Sequence, residues 1–289
     1  MRVILISIPI LLLFFCGVYR HDVAEQRYKA LAQEPQFDCV GQLFYNDTLT
    51  GSCVLINGNA VLTAARTATR YHYYDLGKGK KSYADVSKPE NYSVAFKGKK
   101  YTVVKIVIYP SYKYSAREGY CDIAYIELAD KITTIQPAIL NTGTDELNKT
   151  ATVVGYGPIG YGNSFCCGRD IHEKNAGDNS IDSLGGMLLN GMPTDLFCDF
   201  DCPDEAHASN NHMGSAEPLP LEYMGRNGDN GGGFFIKKGN TYLLAGICSA
   251  YQYDYPMSSH TCYYGSVSSY TRISAFYGWI QQEIAKTKK

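Results

Sequence analysis

Short runs of β-branched, aromatic and other apolar residues are the feature that most constrains the fold of this chain. The clearest of these runs are, in chain order, VGQLFY, SCVLIN, AVLTAA, YTVVKIVIY, DIAYIEL, ATVVGYG, GGFFIKK and YLLAGICSA. Gly, Asn, Asp and Lys are frequent between them, as expected for turns. Many short strands at such spacing are typical of a sandwich or a barrel. With 289 residues and 45% hydrophobic content, the chain is long enough for one large domain or for two packed halves.

Both ends of the chain depart from the strand pattern. Residues 21–37, HDVAEQRYKALAQEPQF, place apolar side chains at helical intervals before Pro35, which predicts a short helix that ends there. The last segment, ISAFYGWIQQEIAKTKK, has the same periodicity and a lysine-rich end, which suits the negative end of a helix dipole. We therefore predict a C-terminal helix that closes the domain. Its apolar face consists of Ile273, Phe276, Ile280 and Ile284.

The stretch 161–222 is the least regular part of the sequence, and we expect long loops there. It contains Cys198 and Cys202 close to His207 and His212, which are residue types that bind zinc. The acidic residues and the proline around the second cysteine favour a loop held by a disulfide over a metal site. We therefore predict no metal and no cofactor.

The N-terminus has the pattern of a secretory signal peptide. It reads MRVILISIPILLLFFCGVYRHD, in which Arg2 precedes an apolar run from Val3 to Phe15 and small residues follow. A membrane span needs about 20 apolar residues, more than this run supplies, although an uncleaved signal anchor is the alternative. We predict a signal peptide over 1–18, a lead-in segment over 19–38 and the main domain over 39–289. The mature protein would be secreted, with no membrane span.

The charge balance and the cysteine count restrict the function further. The 27 basic and 28 acidic residues nearly cancel, so no charge excess points to nucleic acid.

Of the ten cysteines, Cys16 lies in the predicted signal region, which leaves nine. An exported chain is expected to form disulfides, and an odd count leaves one thiol without a partner in the chain. The spacing alone does not give the connectivity.

Four segments, in chain order, carry a family resemblance. Residues 51–68, GSCVLINGNAVLTAARTA, are similar to a strand and turn ending in LTAAHC; residues 121–128, CDIAYIEL, are similar to DIALLKL; residues 228–233, GDNGGG, are similar to GDSGGP. The C-terminal YGSVSSYTRISAFYGWI resembles GVYTRVSxYxxWI. These are motifs of the trypsin-like serine proteases (peptidase S1, chymotrypsin fold), nearest in pattern to bacterial and lower-eukaryotic members. The resemblance implies an all-β fold of two packed six-stranded β-barrels, with the active cleft between them and a C-terminal helix.

The resemblance places the three catalytic groups of the family at Arg66, Asp122 and Asn230. In the family these groups are a histidine base, an aspartate that orients it and a serine nucleophile, and here only the aspartate is retained. Arginine stays protonated at physiological pH and has no lone pair to offer, and an amide is no substitute nucleophile. We therefore predict a pseudoprotease in which Arg66 forms a bidentate, partly buried ion pair with Asp122. Its far edge would meet the amide oxygen of Asn230.

An oxyanion hole is also implied, formed by Gly228, Asp229 and Asn230, whose amide hydrogens would face a substrate carbonyl. Without a nucleophile this backbone would be a carbonyl-binding nest; alternatively, the glycines serve only the turn. In many family members the aspartate before the nucleophile pairs with a newly freed amino terminus. Residues 36–44, QFDCVGQLF, contain no Arg or Lys cleavage site, so we expect Asp229 to have a different partner.

The specificity pocket of the family maps to four further residues. Met224 falls at its floor, while Ser249, Tyr251 and Gly265 fall along its wall. These side chains predict a shallow, apolar pocket with no carboxylate to bind a Lys or Arg side chain.

The residues thus predict a secreted, catalytically inactive protease homologue that binds a protein or peptide as a decoy, cofactor or regulator. A first alternative is an active hydrolase with an unconventional site, which needs a histidine or carboxylate from the stretch 161–222. A second is a structural or adhesive protein that uses the surface rich in its 25 tyrosines. An open cleft favours the first function, and a cleft filled by Arg66 and Tyr251 favours the adhesive one. The sequence does not indicate the oligomeric state.

Overall fold

The computed structural model describes residues 17–75, 80–86, 88–114, 119–163, 172–204, 211–226, 228–249 and 264–287. Two α-helices lie in these ranges, α1 Glu25–Ala32 and α2 Ile273–Thr287. The strands are β1 Gly17–Tyr19, β2 Val40–Tyr45, β3 Thr48–Asn57, β4 Ala60–Thr63, β5 Thr69–Asp75, β6 Lys80–Val86, β7 Tyr92–Phe96, β8 Lys99–Ile108, β9 Lys113–Tyr114, β10 Gly119–Tyr120, β11 Ala124–Leu128, β12 Ile139–Leu140, β13 Thr150–Gly155, β14 Ile159–Tyr161, β15 Asn175–Ser180, β16 Ser183–Leu189, β17 Met192–Asp199, β18 Tyr223–Met224, β19 Gly233–Lys238, β20 Thr241–Cys248 and β21 Val267–Arg272.

Six of these strands close into a barrel, in the order β11-β4-β3-β2-β7-β8. Neighbouring strands are antiparallel throughout. Since alternate side chains of a strand point to opposite faces, one face of each strand fills the barrel interior. Leu43, Val54, Leu62, Val94 and Ile126 are fully buried there and belong to one hydrophobic core. The short apolar runs of the sequence thus supply the side chains that fill this barrel.

The second sheet is open in the described residues. Its order is β15-β13-β19-β20-β21-β17-β16, with β12 paired to β20. The edge strand β15 is covered by α1, which packs against it, and covering an edge in this way removes the need to close the sheet. The predicted fold class is therefore confirmed in its all-β character, its closed barrel and its C-terminal helix. The second barrel is a half-barrel sheet.

All eight apolar runs of the sequence lie in strands, namely β2, β3, β4, β8, β11, β13, β19 and β20. The expectation of long loops over 161–222 is wrong for 175–199, which form β15, β16 and β17. The strand β15 consists of small and polar residues, NAGDNS, and it is stabilised by its surroundings. For example, the amide of Asn179, which is 1% exposed, donates hydrogen bonds to the carbonyls of Asp199 and Tyr223.

The N-terminal segment packs into the second half of the molecule. The strand β1 pairs in parallel with β14 and antiparallel with β18. Tyr19 stacks on Tyr28 of α1, with ring centroids 4.0 Å apart, and both side chains are buried. The predicted lead-in helix is therefore present, and it ends before Pro35 as expected. The predicted end of the signal peptide at residue 18 falls inside β1, and this boundary stays a prediction.

The C-terminal helix α2 is also confirmed. Ile273, Phe276 and Ile280 are fully buried on its inner face, and Ile284 packs against the same core. The ring of Phe276 meets Tyr109 of the first barrel edge-on at 4.8 Å. In the part of the chain that the structure describes, no helix has the length and apolarity needed to cross a membrane.

The six described cysteines are buried and no disulfide joins any two of them, so the expected disulfides are not confirmed among them. They are Cys39, Cys53, Cys121, Cys198, Cys202 and Cys248. The remaining cysteines, Cys16, Cys166, Cys167 and Cys262, lie outside the described residues, as does His207. The pairing of the cysteines therefore stays a prediction.

Candidate functional site

The candidate site lies where the loop before β19 meets the first barrel. The amide of Ser52 in β3 donates to the carbonyl of Asn230 at 2.8 Å. Gly231 has φ +88°, and a β-carbon there would lie 2.1 Å from both Ser52 O and Thr63 Oγ1. Only glycine permits this approach. The loop is thereby held against the barrel, with Asn230 at the junction of the two halves.

Arg66 is positioned by a single 3₁₀ turn, Ala65–Thr67, that directly follows β4. Its backbone amide donates to Asp122 Oδ1 at 2.9 Å, and its Nε donates to Oδ2 at 2.5 Å. The Asp122 side chain is 1% exposed and that of Arg66 is 13% exposed. The predicted ion pair between Arg66 and Asp122 is therefore present and largely shielded from water.

Ser249 completes the arrangement around Asp122. Its hydroxyl donates to Asp122 Oδ2 at 2.8 Å and accepts a hydrogen bond from Arg66 Nη2 at 3.2 Å. The predicted two-pronged contact is therefore wrong in detail: Nε binds the carboxylate, and Nη2 binds the serine. Ser249, which the sequence placed in the pocket wall, is a partner of Asp122. The predicted contact of Arg66 with the Asn230 amide oxygen is wrong, because no hydrogen bond from a described residue reaches Oδ1 of Asn230.

A second buried carboxylate interacts electrostatically with this pair, and no sequence motif indicated it. Asp195 of β17 is 5% exposed and accepts a hydrogen bond from Thr194 Oγ1 at 2.9 Å. Burial raises the pKa of Asp195 to about 7; the charge of Asp122 acts in the same direction, and that of Arg66 opposes it. One arginine is thus shared electrostatically by two buried acids.

Asp229 is fully buried, and hydrogen-bond donors satisfy its carboxylate. Oδ1 accepts from the amide of Gly157 at 2.8 Å, while Oδ2 accepts from the Tyr223 hydroxyl at 2.7 Å and from the amide of Arg226 at 3.1 Å. Burial nevertheless raises the pKa of Asp229 to about 6. Among the described residues, the partners of Asp229 are neutral hydrogen-bond donors. This agrees with the expectation that its partner is not a freed amino terminus.

The first described residue, Gly17, lies beside this carboxylate. A β-carbon on Gly17 would lie 2.7 Å from Asp229 Oδ2 and 2.1 Å from the Tyr223 hydroxyl oxygen. Its own amide donates to the carbonyl of Pro158 at 2.6 Å. The position is therefore restricted to glycine by contact distance, and β1 forms part of the wall around Asp229.

The predicted oxyanion hole is only partly in place. The amide of Asp229 donates to the carbonyl of Arg226 at 2.8 Å, so it is used inside the loop and does not face a ligand. Gly228 has φ +94° and packs against Gly157 and Pro158. The turn thus needs glycine at this position for its backbone angle. A nest for a carbonyl group would depend on Gly228 and Asn230.

The predicted pocket residues lie in two places. Met224 is fully buried in a small cluster with Val18, Phe200, Cys202 and Tyr264, so it is packed rather than open. The amide of Gly265 donates to the carbonyl of Phe200 at 2.7 Å, which places Gly265 at the same cluster. Tyr251 lies outside the described residues.

Comparisons with known proteins support the fold and the family. A family model described as Trypsin matches residues 29–175, about half of the chain. Among solved structures, neuropsin, a serine protease expressed in the limbic system of mouse brain, is similar with a TM-score of 0.59 and 17% identity. The match covers 86% of this chain and 96% of neuropsin, and at that identity it shows the fold alone. Comparison with curated proteins finds no match.

Proposed function

Because this chain belongs to the trypsin family of serine proteases, we propose that it is a secreted, catalytically inactive member that acts by binding a protein or peptide. The observation that carries this proposal is the contact between Arg66 Nε and Asp122 Oδ2 at 2.5 Å. In this family the aspartate orients a histidine that removes the proton of the nucleophile. Here the aspartate instead neutralises a permanent cation.

Among the described residues, Arg66 and Ser249 are the groups that donate to the carboxylate of Asp122. Its two oxygens accept from the amide and Nε of Arg66 and from Ser249. Among the described residues no histidine bonds to this carboxylate. His21 lies on a different surface, with Nδ1 2.8 Å from the Tyr264 hydroxyl. A rescue of catalysis by a histidine from elsewhere in the chain would first have to displace Arg66.

The nucleophile position supports the same proposal independently. Asn230 is 7% exposed and stands in the loop held against the first barrel. Asp195 is a carboxylate from the stretch 161–222, the kind of group that an unconventional hydrolase would need. Its side chain is buried, and its presence would not replace the missing serine hydroxyl. Loss of members of a triad costs several orders of magnitude in rate.

Labelling with a fluorophosphonate probe tests the loss of chemistry. We expect no labelling of the natural protein and restored labelling of the double variant Arg66→His, Asn230→Ser. The matched controls are the two single variants, which should stay unlabelled, and the double variant with Asp122→Asn added, which should label far more slowly. Labelling of the natural protein would show that it has an active nucleophile and refute the proposal.

The binding role needs a separate test. Peptides carrying a photo-crosslinker, selected from a displayed library on the natural protein, should attach to the loop 228–233 or to the turn 65–67. Attachment confined to the outer faces of the barrel would contradict cleft binding and favour the adhesive alternative. Since this readout requires no catalysis, it separates the binding role from the loss of activity.

A further inference from the structure

A half-open cavity of about 400 Å³ lies away from the ion pair, between α1, β2 and the segment that leads into β15. Its charged lining groups are Lys29, Asp38, Lys97, Glu173 and Lys174, together with His172. Val40 and Tyr156 provide apolar surface, and Gln33 and Gln42 provide amides. The cavity combines apolar surface with a few polar groups, as ligand sites do.

Two of the three lysines in the cavity are already neutralised. Lys29 Nζ lies 2.5 Å from Glu173 Oε2 and 2.8 Å from Glu25 Oε1. Lys97 Nζ lies 2.5 Å from Asp38 Oδ2. Lys174 has no carboxylate within ion-pair range in the described part of the chain. The lining therefore carries one uncompensated positive charge.

Lys174 is also the most enclosed of these cations, at 9% exposure. Its Nζ donates to the carbonyl of Phe37 at 3.2 Å, although an ammonium group carries three hydrogens. Burial lowers the pKa of Lys174. The charge of Lys97 also lowers this pKa, whereas Asp38 and Cys39 raise it. A buried cation without a counter-ion is unfavourable, and an anionic ligand would remove that cost.

We propose that this cavity binds a carboxylate group, with Lys174 as its counter-ion and the ring of Tyr156 as an apolar wall. The single unpaired charge matches a monoanion better than a doubly charged phosphate. The hydroxyl of Tyr156 forms no hydrogen bond to a described residue, so it is a second available donor. This site is distinct from the Arg66–Asp122 pair and does not depend on the proposed loss of catalysis.

The carboxylate has two sources, a small organic acid or the end of a peptide. Benzoate is the probe for the first, because its ring suits the wall formed by Tyr156. An N-acetylated dipeptide with a free C-terminus is the probe for the second, with its C-terminal amide as the matched control. Inorganic phosphate tests the competing anion. Tighter binding of phosphate than of either carboxylate would overturn the assignment.

Calorimetric titration of the full chain measures the contribution of Lys174. We expect Lys174→Met to weaken carboxylate binding about tenfold or more. Lys97→Met is the matched control, because Lys97 lines the same cavity, is 61% exposed and is paired with Asp38; it should change binding by less than about threefold. Equal binding by Lys174→Met and the natural protein, or no carboxylate binding at about 20 mM, would overturn the proposal.

A second measurement uses the natural protein and does not depend on the folding of a variant. Because the ligand requires the ammonium form, affinity should fall as pH rises through the pKa of Lys174. NMR of lysine labelled with ¹³C at Cε should show that saturating benzoate raises the pKa of Lys174 and leaves that of Lys97 unchanged. An unchanged pKa of Lys174 under saturating ligand would refute its role as counter-ion.

Discussion

Two buried arginine–carboxylate pairs in this molecule differ in how completely they are satisfied. Arg272 and Glu146 are 2% and 0% exposed, and they make a two-pronged contact, Nε to Oε1 at 3.1 Å and Nη2 to Oε2 at 2.6 Å. Glu146 also accepts from Asn141 and Ser274. Arg66, in contrast, reaches Asp122 through one side-chain nitrogen and is 13% exposed. The first pair fixes the start of α2, whereas the second lies at the candidate cleft.

An arginine–carboxylate pair therefore has a different structural role in each of the two places. A fully enclosed pair is costly to break from one side, because the remaining charge has no solvent. A pair at a cleft keeps partial access to water and shares its arginine with a neighbouring serine. We therefore expect the two pairs to respond differently to substitution.

Arg272→Met should have the largest effect on stability. It leaves Glu146 buried without its cation, which we expect to lower the free energy of unfolding by about 3–5 kcal/mol. Urea denaturation measures this change. Lys149→Met is the matched control, because Lys149 and Asp145 form an exposed pair; its effect should stay below about 1 kcal/mol. Equal effects of the two variants would contradict the distinction between buried and exposed pairs.

Asp122→Asn should destabilise the protein less, by about 1–3 kcal/mol. The guanidinium of Arg66 loses its counter-ion but keeps the Ser249 hydroxyl and partial solvent access. The same denaturation experiment gives the comparison directly. If Asp122→Asn lowered the free energy of unfolding as much as Arg272→Met, the two pairs would contribute equally to stability. That result would contradict the difference between them.

Asp195→Asn tests the pair at the cleft through its pH dependence, because Asp195 interacts electrostatically with Asp122 and Arg66. The pKa of Asp195 is raised to about 7 in the folded protein, from about 3.9 for an unperturbed aspartate. Between these values the folded state binds more protons than the unfolded state, so this group makes stability fall as pH rises from about 4 to 7. Thr194, Asp122 and Arg66 are the groups that face it.

We expect Asp195→Asn to raise the free energy of unfolding at pH 8 by on the order of 2 kcal/mol. At pH 4 it should have little effect, because the carboxyl is then protonated in the fold and partly protonated in the unfolded chain. Denaturation at both pH values measures the difference. Thr194→Val is the control that keeps the charge of Asp195 and removes the two hydrogen bonds of the Thr194 hydroxyl, which it donates to Asp195 and accepts from the amide of Met187. The same change at pH 4 and pH 8 would contradict a charge-based cause.

The first barrel was predictable because each strand carries its own signal. Runs such as VGQLFY and AVLTAA show apolar side chains where the barrel interior requires them. The strand β15 has no such signal, because its small and polar residues are stabilised by β13 and α1. The open second sheet was unpredictable for the same reason. Whether a sheet closes into a barrel depends on what packs against its edge strand, and here that element, α1, is far away in the sequence.

At the candidate site, too, only some of the contacts were predictable from the sequence. The Arg66–Asp122 ion pair follows from opposite charges at two positions fixed by motifs. The sequence did not predict that Ser249 binds Asp122, or that the buried Asp195 interacts electrostatically with the pair, because both interactions join residues far apart in the chain. Gly17 beside Asp229 is a third such contact. No local pattern marks a glycine that is required by a distant carboxylate.

The pairing of β1 also sets an order of events during synthesis. Gly17 and Val18 emerge early from the ribosome, but their partners Ile159 and Met224 emerge much later. Pairings between distant segments form slowly because a long loop must close first. Until Met224 has been made, β1 and the buried face of α1 have no complete surface to cover them. The strand β1 is thus among the last parts of the fold to be assembled, and chains that stop short of β18 would present this apolar segment to quality control.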